Sequence, residues 1–290
     1  MNTIWSSYIQ GANTLYYSRR LRFDDMFKSQ YLPLFGLDEN APLKILEIGC
    51  GPGALAGALR RWYPNAEITG VDRDSEFIRF AKEHEPGVSF VEGDIAALPF
   101  ADGMFDVVIS NTVSEHVEPS SFYGEQRRVL KEGGVCLVLS SRKGISAPEP
   151  CVALSDYEEA FWQKLRPHDD AMAKYAVCRY PMNEAELPAV MENHGFSGVS
   201  TGFVAVALTP DDPAISPALA RAIIEERRYN DLDAIESALR SLPEHIMPGE
   251  IDEMKRLANA RCDARLALYE RGEKQWDTSV SLIMVIRGVK

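Results

Sequence analysis

The sequence has no run of apolar residues long enough to cross a bilayer. Met1–Ser7 lacks the basic stretch followed by an apolar core that marks a secretory signal. These two absences predict a soluble, cytoplasmic chain with no membrane partner. Cysteine is scarce. The five present (Cys50, Cys136, Cys151, Cys178 and Cys262) are odd in number and scattered, with no pair at zinc or redox spacing. Reduced, mostly buried thiols and no metal are expected. Positive charge is also in short supply: 31 Lys and Arg face 43 Asp and Glu, a formal charge of −12. Such a chain repels a phosphate backbone on average. The densest basic cluster, Arg19, Arg20 and Arg22, is too short to define a groove, so nucleic acid is not expected as a partner.

What is present is enough for a core without disulfides or structural metal, since 46% of the 290 residues are hydrophobic. From residue 43 onward the pattern alternates strands and helices. Leu43–Ile48 is an apolar run ending in Gly, read as a buried parallel strand. Ala54–Tyr63 reads as a helix, Glu67–Val71 as a strand, Ser75–His84 as a helix and Val88–Glu92 as a strand. Phe105–Ser110, the helix Phe122–Leu130 and the strand Gly134–Ser140 follow. Five strands joined by crossover-length segments predict an α/β fold, with a parallel sheet wound on both faces by helices.

Either side of this region the signals change. Residues 1–40 show only a loose helical spacing of Tyr8, Leu15 and Phe23 with Ile9 and Tyr16, read as one or two helices. Beyond Ser141 the capping box Ser155-Asp-Tyr-Glu158 opens a helix that Pro167 ends. Asn183 marks another helix start, set later by Pro188, with Gly195 at its end. Val199–Leu208 and Ser279–Ile286 read as strands. Between them Ile251, Met254, Ala258, Cys262, Leu266 and Tyr269 form one apolar helix face, read as packing.

The segment richest in chemistry is Leu43-Lys-Ile-Leu-Glu47-Ile-Gly49-Cys-Gly51-Pro-Gly53. Glycines between a buried strand and a helix allow a tight turn and close approach of a ligand, and the helix N-terminus offers free N–H groups. Asp72, in Gly70-Val-Asp72-Arg-Asp74, stands at the next strand end, where a carboxylate can accept two ribose hydroxyls; capping the following helix falls to Asp74. A dinucleotide fingerprint needs Gly-x-Gly-x-x-Gly. Here the third glycine arrives one residue early, at Gly53, and Glu47 would repel a pyrophosphate, so the dehydrogenase alternative is set aside.

These motifs resemble those of the class I S-adenosylmethionine-dependent methyltransferases. Glu47-x-Gly49-x-Gly51-x-Gly53 corresponds to the family's cofactor turn, Asp72 to its ribose acid, and Glu92-Gly-Asp94-Ile95 to its adenine segment. Asp106–Asn111 matches the strand exit that backs the cofactor, and Leu130-Lys-Glu-Gly133-Gly134 the turn before the fifth strand. The resemblance covers about residues 40–208 and, more loosely, the last strand. It implies a doubly wound, mostly parallel seven-stranded, Rossmann-like sheet with its last strand antiparallel. Residues 41–208 and 277–290 would form the cofactor-binding core, 1–40 a helical cap, and 144–182 and 209–276 helical insertions that shape the acceptor pocket.

By the same resemblance, S-adenosylmethionine would be the cofactor. Glu47, Gly49, Cys50, Gly51, Gly53, Asp72, Arg73, Gly93, Asp94, Ile95 and Asn111 would hold it. Apart from the resemblance, Tyr17 and Arg20 belong to Tyr16–Phe23, read either as a segment that folds over the site, covering it and pairing with the cofactor's carboxylate, or as a solvated helix face. His116, beside Glu115, is a candidate base with a structural role as the alternative. Trp162, His168, Tyr175, Arg179, Tyr180, Tyr229 and Trp276 are the insertion residues suited to a pocket wall. The expected reaction is methyl transfer to a small molecule by in-line displacement. A protein or RNA acceptor, and a cofactor-binding protein without catalysis, are the alternatives; the oligomeric state is left open.

Overall fold

The computed structural model describes residues 5–168 and 177–290. Seven strands form one sheet: β1 (Lys44–Ile48), β2 (Glu67–Asp72), β3 (Ser89–Glu92), β4 (Phe105–Asn111), β5 (Leu130–Ala147), β6 (Ser197–Leu208) and β7 (Thr278–Val289). Their order is β3-β2-β1-β4-β5-β7-β6. β1 pairs in parallel with both β2 and β4, and β3 with β2 and β5 with β4 likewise. β7 runs antiparallel between β5 and β6. This is the seven-stranded, mostly parallel, doubly wound sheet expected from the motifs.

Parallel strands covered on both faces must be apolar at successive positions, and they are. Ile45 and Val107 enter one core while their neighbours Leu46 and Val108 enter the other. The first core is completed by α3 (Ala54–Trp62) and, from the N-terminal segment, by Phe23, just past the end of α1 (Ala12–Arg22), and by α2 (Lys28–Phe35). Phe23, Tyr31, Phe35 and Trp62 meet there. The second is covered by α5 (Pro119–Val129) and α7 (Glu186–Asn193). α4 (Ser75–His84) lies between β2 and β3 in sequence, and the side chain of Asp74 accepts from the Glu76 and Phe77 amides at its start.

The insertions pack on each other. α6 (Asp156–Leu165), α8 (Pro217–Ser241) and α9 (Glu250–Glu270) share a core of Phe161, Leu165, Ile235, Met254 and Ala258. The Ser155 capping box forms as read, and α7 begins at Glu186 behind an Asn183 that accepts from the Ala185 and Glu186 amides. β5 is the main departure from the expected bounds. It continues past Ser140 to Ala147 because β7 supplies an antiparallel partner as far as Thr278. Among the described residues no helix is long and apolar enough to cross a membrane.

The order reverses between β1 and β4, where β1 leads outward to β2 and β4 to β5. Connections leaving a sheet to opposite sides open a crevice at the strand ends, and ligands of such sheets bind there.

Candidate functional site

A cavity of about 980 Å³, counted out to open solvent, occupies that crevice. Its floor is the turn after β1. Gly49 has φ +63°, and a Cβ there would lie 2.6 Å from Val113 Cγ2, so only glycine brings the chain this close to the β4 exit. Asp72, at the tip of β2, accepts from the Gly51 amide at 2.9 Å and from the Asp74 amide at 2.9 Å. It thus fixes the turn and keeps unused lone pairs on both oxygens for a ligand. Burial raises its pKa, with the two amide bonds opposing.

Glu47, 2% exposed, lies beneath the turn, and burial holds its pKa well above the ordinary carboxylate value, with Asp72 adding to the rise. Its Oε2 is buried without a partner, as is Oδ1 of Asn111 at the exit of β4. Buried acceptors left unmade are costly, about 1–3 kcal/mol each, so both are waiting for donors.

The roof comes from the N-terminal segment. Trp5, Leu15, Arg19 and Phe23 line the cavity from above. Ser6 ties the segment down, its amide and hydroxyl donating to Asp74 at 2.9 and 3.0 Å. Gly11 adds a second tie, its amide shared by the two carboxylate oxygens of Asp233 on α8. Arg19 donates to Thr112 Oγ1 at 3.1 Å, its hydrogen-bond partner among the described residues. Burial and the neighbouring Arg22 both disfavour its charge, which Glu115 and Glu226 support from a distance. A guanidinium stays protonated regardless, so this strain is an attraction for an anion. Thr112 has φ +54°, strained for a β-branched residue, and is held by its amide bond to the Leu139 carbonyl and its hydroxyl bond to the Asn111 carbonyl.

Of the residues expected from the sequence, Glu47, Gly49, Cys50, Gly51, Asp72, Arg73, Asp94, Ile95, Asn111 and His116 all line this cavity. Cys50 donates its thiol to the Gly51 carbonyl, and burial pushes its pKa up. Asp94 accepts from the Ala96 amide at 2.9 Å. Gly53 and Gly93 stand behind the wall. A Cβ on Gly53 would meet Phe90 at 2.8 Å and one on Gly93 would meet Pro99 at 2.9 Å, so both glycines serve packing of the turn. Arg20 is exposed and Tyr17 stacks on Tyr229 at 5.0 Å, away from the lining; Arg19 takes the position expected of Arg20.

The residues missed include Trp5, Leu15, Arg19, Phe23 and Thr112. A signal existed for three of them: Leu15, Arg19 and Phe23 recur every four residues and so share one helix face. Among the insertion candidates, Tyr180 donates its amide to the Glu115 carbonyl, while Trp162 and His168 line a separate cavity between α6 and α8. Arg179 and Trp276 are largely exposed, and Tyr175 lies outside the described residues.

Comparison with known proteins agrees with this geometry. Residues 46–138 match the family described as a methyltransferase domain. A fatty-acid O-methyltransferase of Mycolicibacterium smegmatis is 39% identical over 117 residues, 39% of this chain and 42% of that one. A malonyl-[acyl-carrier protein] O-methyltransferase of Herminiimonas arsenicoxydans is 37% identical over 34% of this chain and 38% of its own. A trans-aconitate 2-methyltransferase of Rhodopseudomonas palustris is 40% identical over 33% and 38%. The alignments therefore span about two fifths of these relatives' length. The matched span holds the Gly turn, Asp72, Asp94 and the β4 exit, set in a sheet of the order described above. Residues 46–138 match a methyltransferase domain and carry the motifs that resemble those of the class I S-adenosylmethionine-dependent methyltransferases.

Proposed function

We propose that this chain transfers the methyl group of S-adenosylmethionine to a small-molecule acceptor. The observation that carries the reading is the complementary set of unfilled groups in one cavity. Glu47 Oε2 and Asn111 Oδ1 are orphaned acceptors suited to the cofactor's ammonium. Arg19 is a donor suited to its carboxylate, and the Asp72 oxygens are suited to ribose hydroxyls. The residues present fit the cofactor. Bound there, it supplies a methyl carbon on a sulfonium that leaves as a neutral thioether. The protein's part is alignment and exclusion of water, and the roof of Trp5, Leu15, Arg19 and Phe23 is placed for both.

That roof, with the net charge of −12, favours a small acceptor over a polymer. The relatives support the same class, since their names give a fatty acid, a carrier-bound malonyl group and trans-aconitate as the molecules methylated. Titration calorimetry with S-adenosylhomocysteine tests cofactor uptake, and no heat of binding by folded protein overturns the proposal.

Arg19 gives a sharper test. Arg19→Gln is expected to weaken S-adenosylhomocysteine by roughly 10–150-fold, the loss of one charge-assisted contact of about 1.5–3 kcal/mol. It should leave 5′-methylthioadenosine, which lacks the amino-acid end, bound as before. Equal losses for both ligands would remove Arg19 from this role.

Glu47 makes the affinity depend on pH. Burial lets the free protein keep the Glu47 proton to higher pH than an ordinary carboxyl, whereas an ammonium beside it favours the ionised form. Binding therefore expels a proton, and affinity should rise with pH above the ordinary value of 4.5 until free Glu47 is itself ionised. Calorimetry in two buffers of different ionisation enthalpy measures that proton. Glu47→Gln should flatten the slope; proton uptake on binding contradicts the account.

A further inference from the structure

The two ends of the cavity differ in kind. The end under the Gly turn presents acceptors. The end formed by Trp5 and His116 presents donors. Trp5 Nε1 is buried and unpartnered, and its ring meets the His116 ring edge-on, with centroids 4.8 Å apart and planes at 72°. His116 Nδ1 accepts the Cys178 amide at 3.0 Å. A neutral imidazole has one donor and one acceptor nitrogen, so this bond leaves the proton on Nε2. The charged groups facing the ring are Glu115, which supports a positive charge, and Arg73, which opposes one. Burial, with Arg73 acting in the same direction, outweighs Glu115 and lowers its pKa. At neutral pH, His116 is thus a neutral N–H donor whose only lone pair is taken.

The other candidates for a base are already committed. Asp74 holds Ser6 and the first turn of α4. Asp72 holds the Gly51 and Asp74 amides, and Asp94 holds that of Ala96. Glu47 lies beneath the turn. The lone pairs left on Asp72 and Asp94 serve the cofactor's ribose and adenine in the reading above, so among the described residues that line the cavity no carboxylate is left over for a proton beside Trp5 and His116.

We propose that the acceptor is a carboxylate, held by the Trp5 and His116 N–H groups, and that the product is its methyl ester. The inference rests on the methyltransferase reading above. In the reaction, a carboxylate oxygen lone pair forms the bond to the methyl carbon as the carbon–sulfur bond breaks and its electrons remain on sulfur. An anion and a cation become two neutral products, and no proton is released. The donor-only pocket suits that stoichiometry. An alcohol or an alkylammonium would have to shed a proton to a base that this end of the cavity does not provide.

The test uses the full chain and S-adenosylmethionine with octanoate, benzoate and trans-aconitate, against octanol and octylamine, with products identified by mass spectrometry. Methyl esters from at least one acid, and no ether or N-methyl product, are expected. At saturating S-adenosylmethionine, kcat/KM for the acid should stay flat between about pH 6.5 and 9, well above carboxylate titration. Trp5→Phe should raise KM for the acid roughly 2- to 10-fold with less effect on kcat, the signature of a lost neutral hydrogen bond. His116→Gln, which can still accept from Cys178 and donate, should cost less than tenfold; loss of a general base would lower kcat by about 10²–10⁴-fold and tilt the pH profile. Methylation of octylamine or octanol, or no ester from any acid while S-adenosylhomocysteine still binds, overturns this inference alone. Absence of S-adenosylhomocysteine binding overturns the reading it rests on.

Discussion

Replacing Asp72 by Ala is expected to weaken S-adenosylhomocysteine by about 10²–10⁴-fold while leaving the fold intact. The magnitude follows from two charge-assisted hydrogen bonds to ribose hydroxyls at roughly 1.5–3 kcal/mol each. A further loss is built into the local structure. The same carboxylate accepts from Gly51 and Asp74, so its removal also frees the Gly turn and the entry to α4. The sheet should survive, because Asp72 is the last residue of β2 and burial penalises rather than rewards its charge. Asp72→Asn separates the two contributions. An amide keeps one acceptor oxygen, so it should bind between the parent and Asp72→Ala. Calorimetry gives the affinities and far-ultraviolet circular dichroism the fold. Unchanged affinity in a folded Asp72→Ala protein would remove the ribose contact from the account.

How far the sequence foretold the site depends on how local each interaction is. The strand, turn and helix around Glu47–Gly53 are contiguous, and Asp72 follows from the same pattern one unit later, so these were legible. So was the cap assigned to Asp74, whose side chain accepts from the Glu76 and Phe77 amides. The choice between Arg19 and Arg20 is a matter of helix phase. One residue is a rotation of about 100°, and the loose spacing of the N-terminal segment does not fix which side faces the sheet. Trp5 is less legible still, because its place depends on Ser6 bonding to Asp74, 68 residues away. The strained backbone of Thr112 is imposed by its bonds to Leu139 and Asn111 and leaves no mark on the sequence pattern. In the same way β5 stops early in any local reading, since its last residues are strand only because β7 is beside them.

Arg265→Met should be the most destabilising single change in the insertion, by about 3–5 kcal/mol, the usual loss when one partner of a buried ion pair is removed. Arg265 lies on the face of α9 that also buries Met254, Ala258 and Cys262, and it is 0% exposed. The sequence pattern of Ile251, Met254, Ala258, Cys262, Leu266 and Tyr269 predicts an apolar face there and gives no sign of the arginine. Arg265 reaches two buried acids from the segments flanking the insertion: Asp277, through Nε at 2.9 Å and Nη2 at 2.7 Å, and Asp211 at 2.7 Å. Asp211 also accepts the Gln275 and Trp276 amides, and Arg227 on α8 pairs with Asp277 at 2.8 Å. The network thus joins the exit of β6, the entry of β7 and both long helices between them. Methionine fills much of the space but leaves Asp211 and Asp277 buried without their shared cation. At about 2–4 °C per kcal/mol, the midpoint of melting should fall by roughly 6–20 °C. Adding Asp211→Asn and Asp277→Asn should recover most of it, because the penalty comes from uncompensated charge more than from lost packing. A single variant that melts within about 2 °C of the parent would mean that the ions are not what anchors the insertion to the sheet.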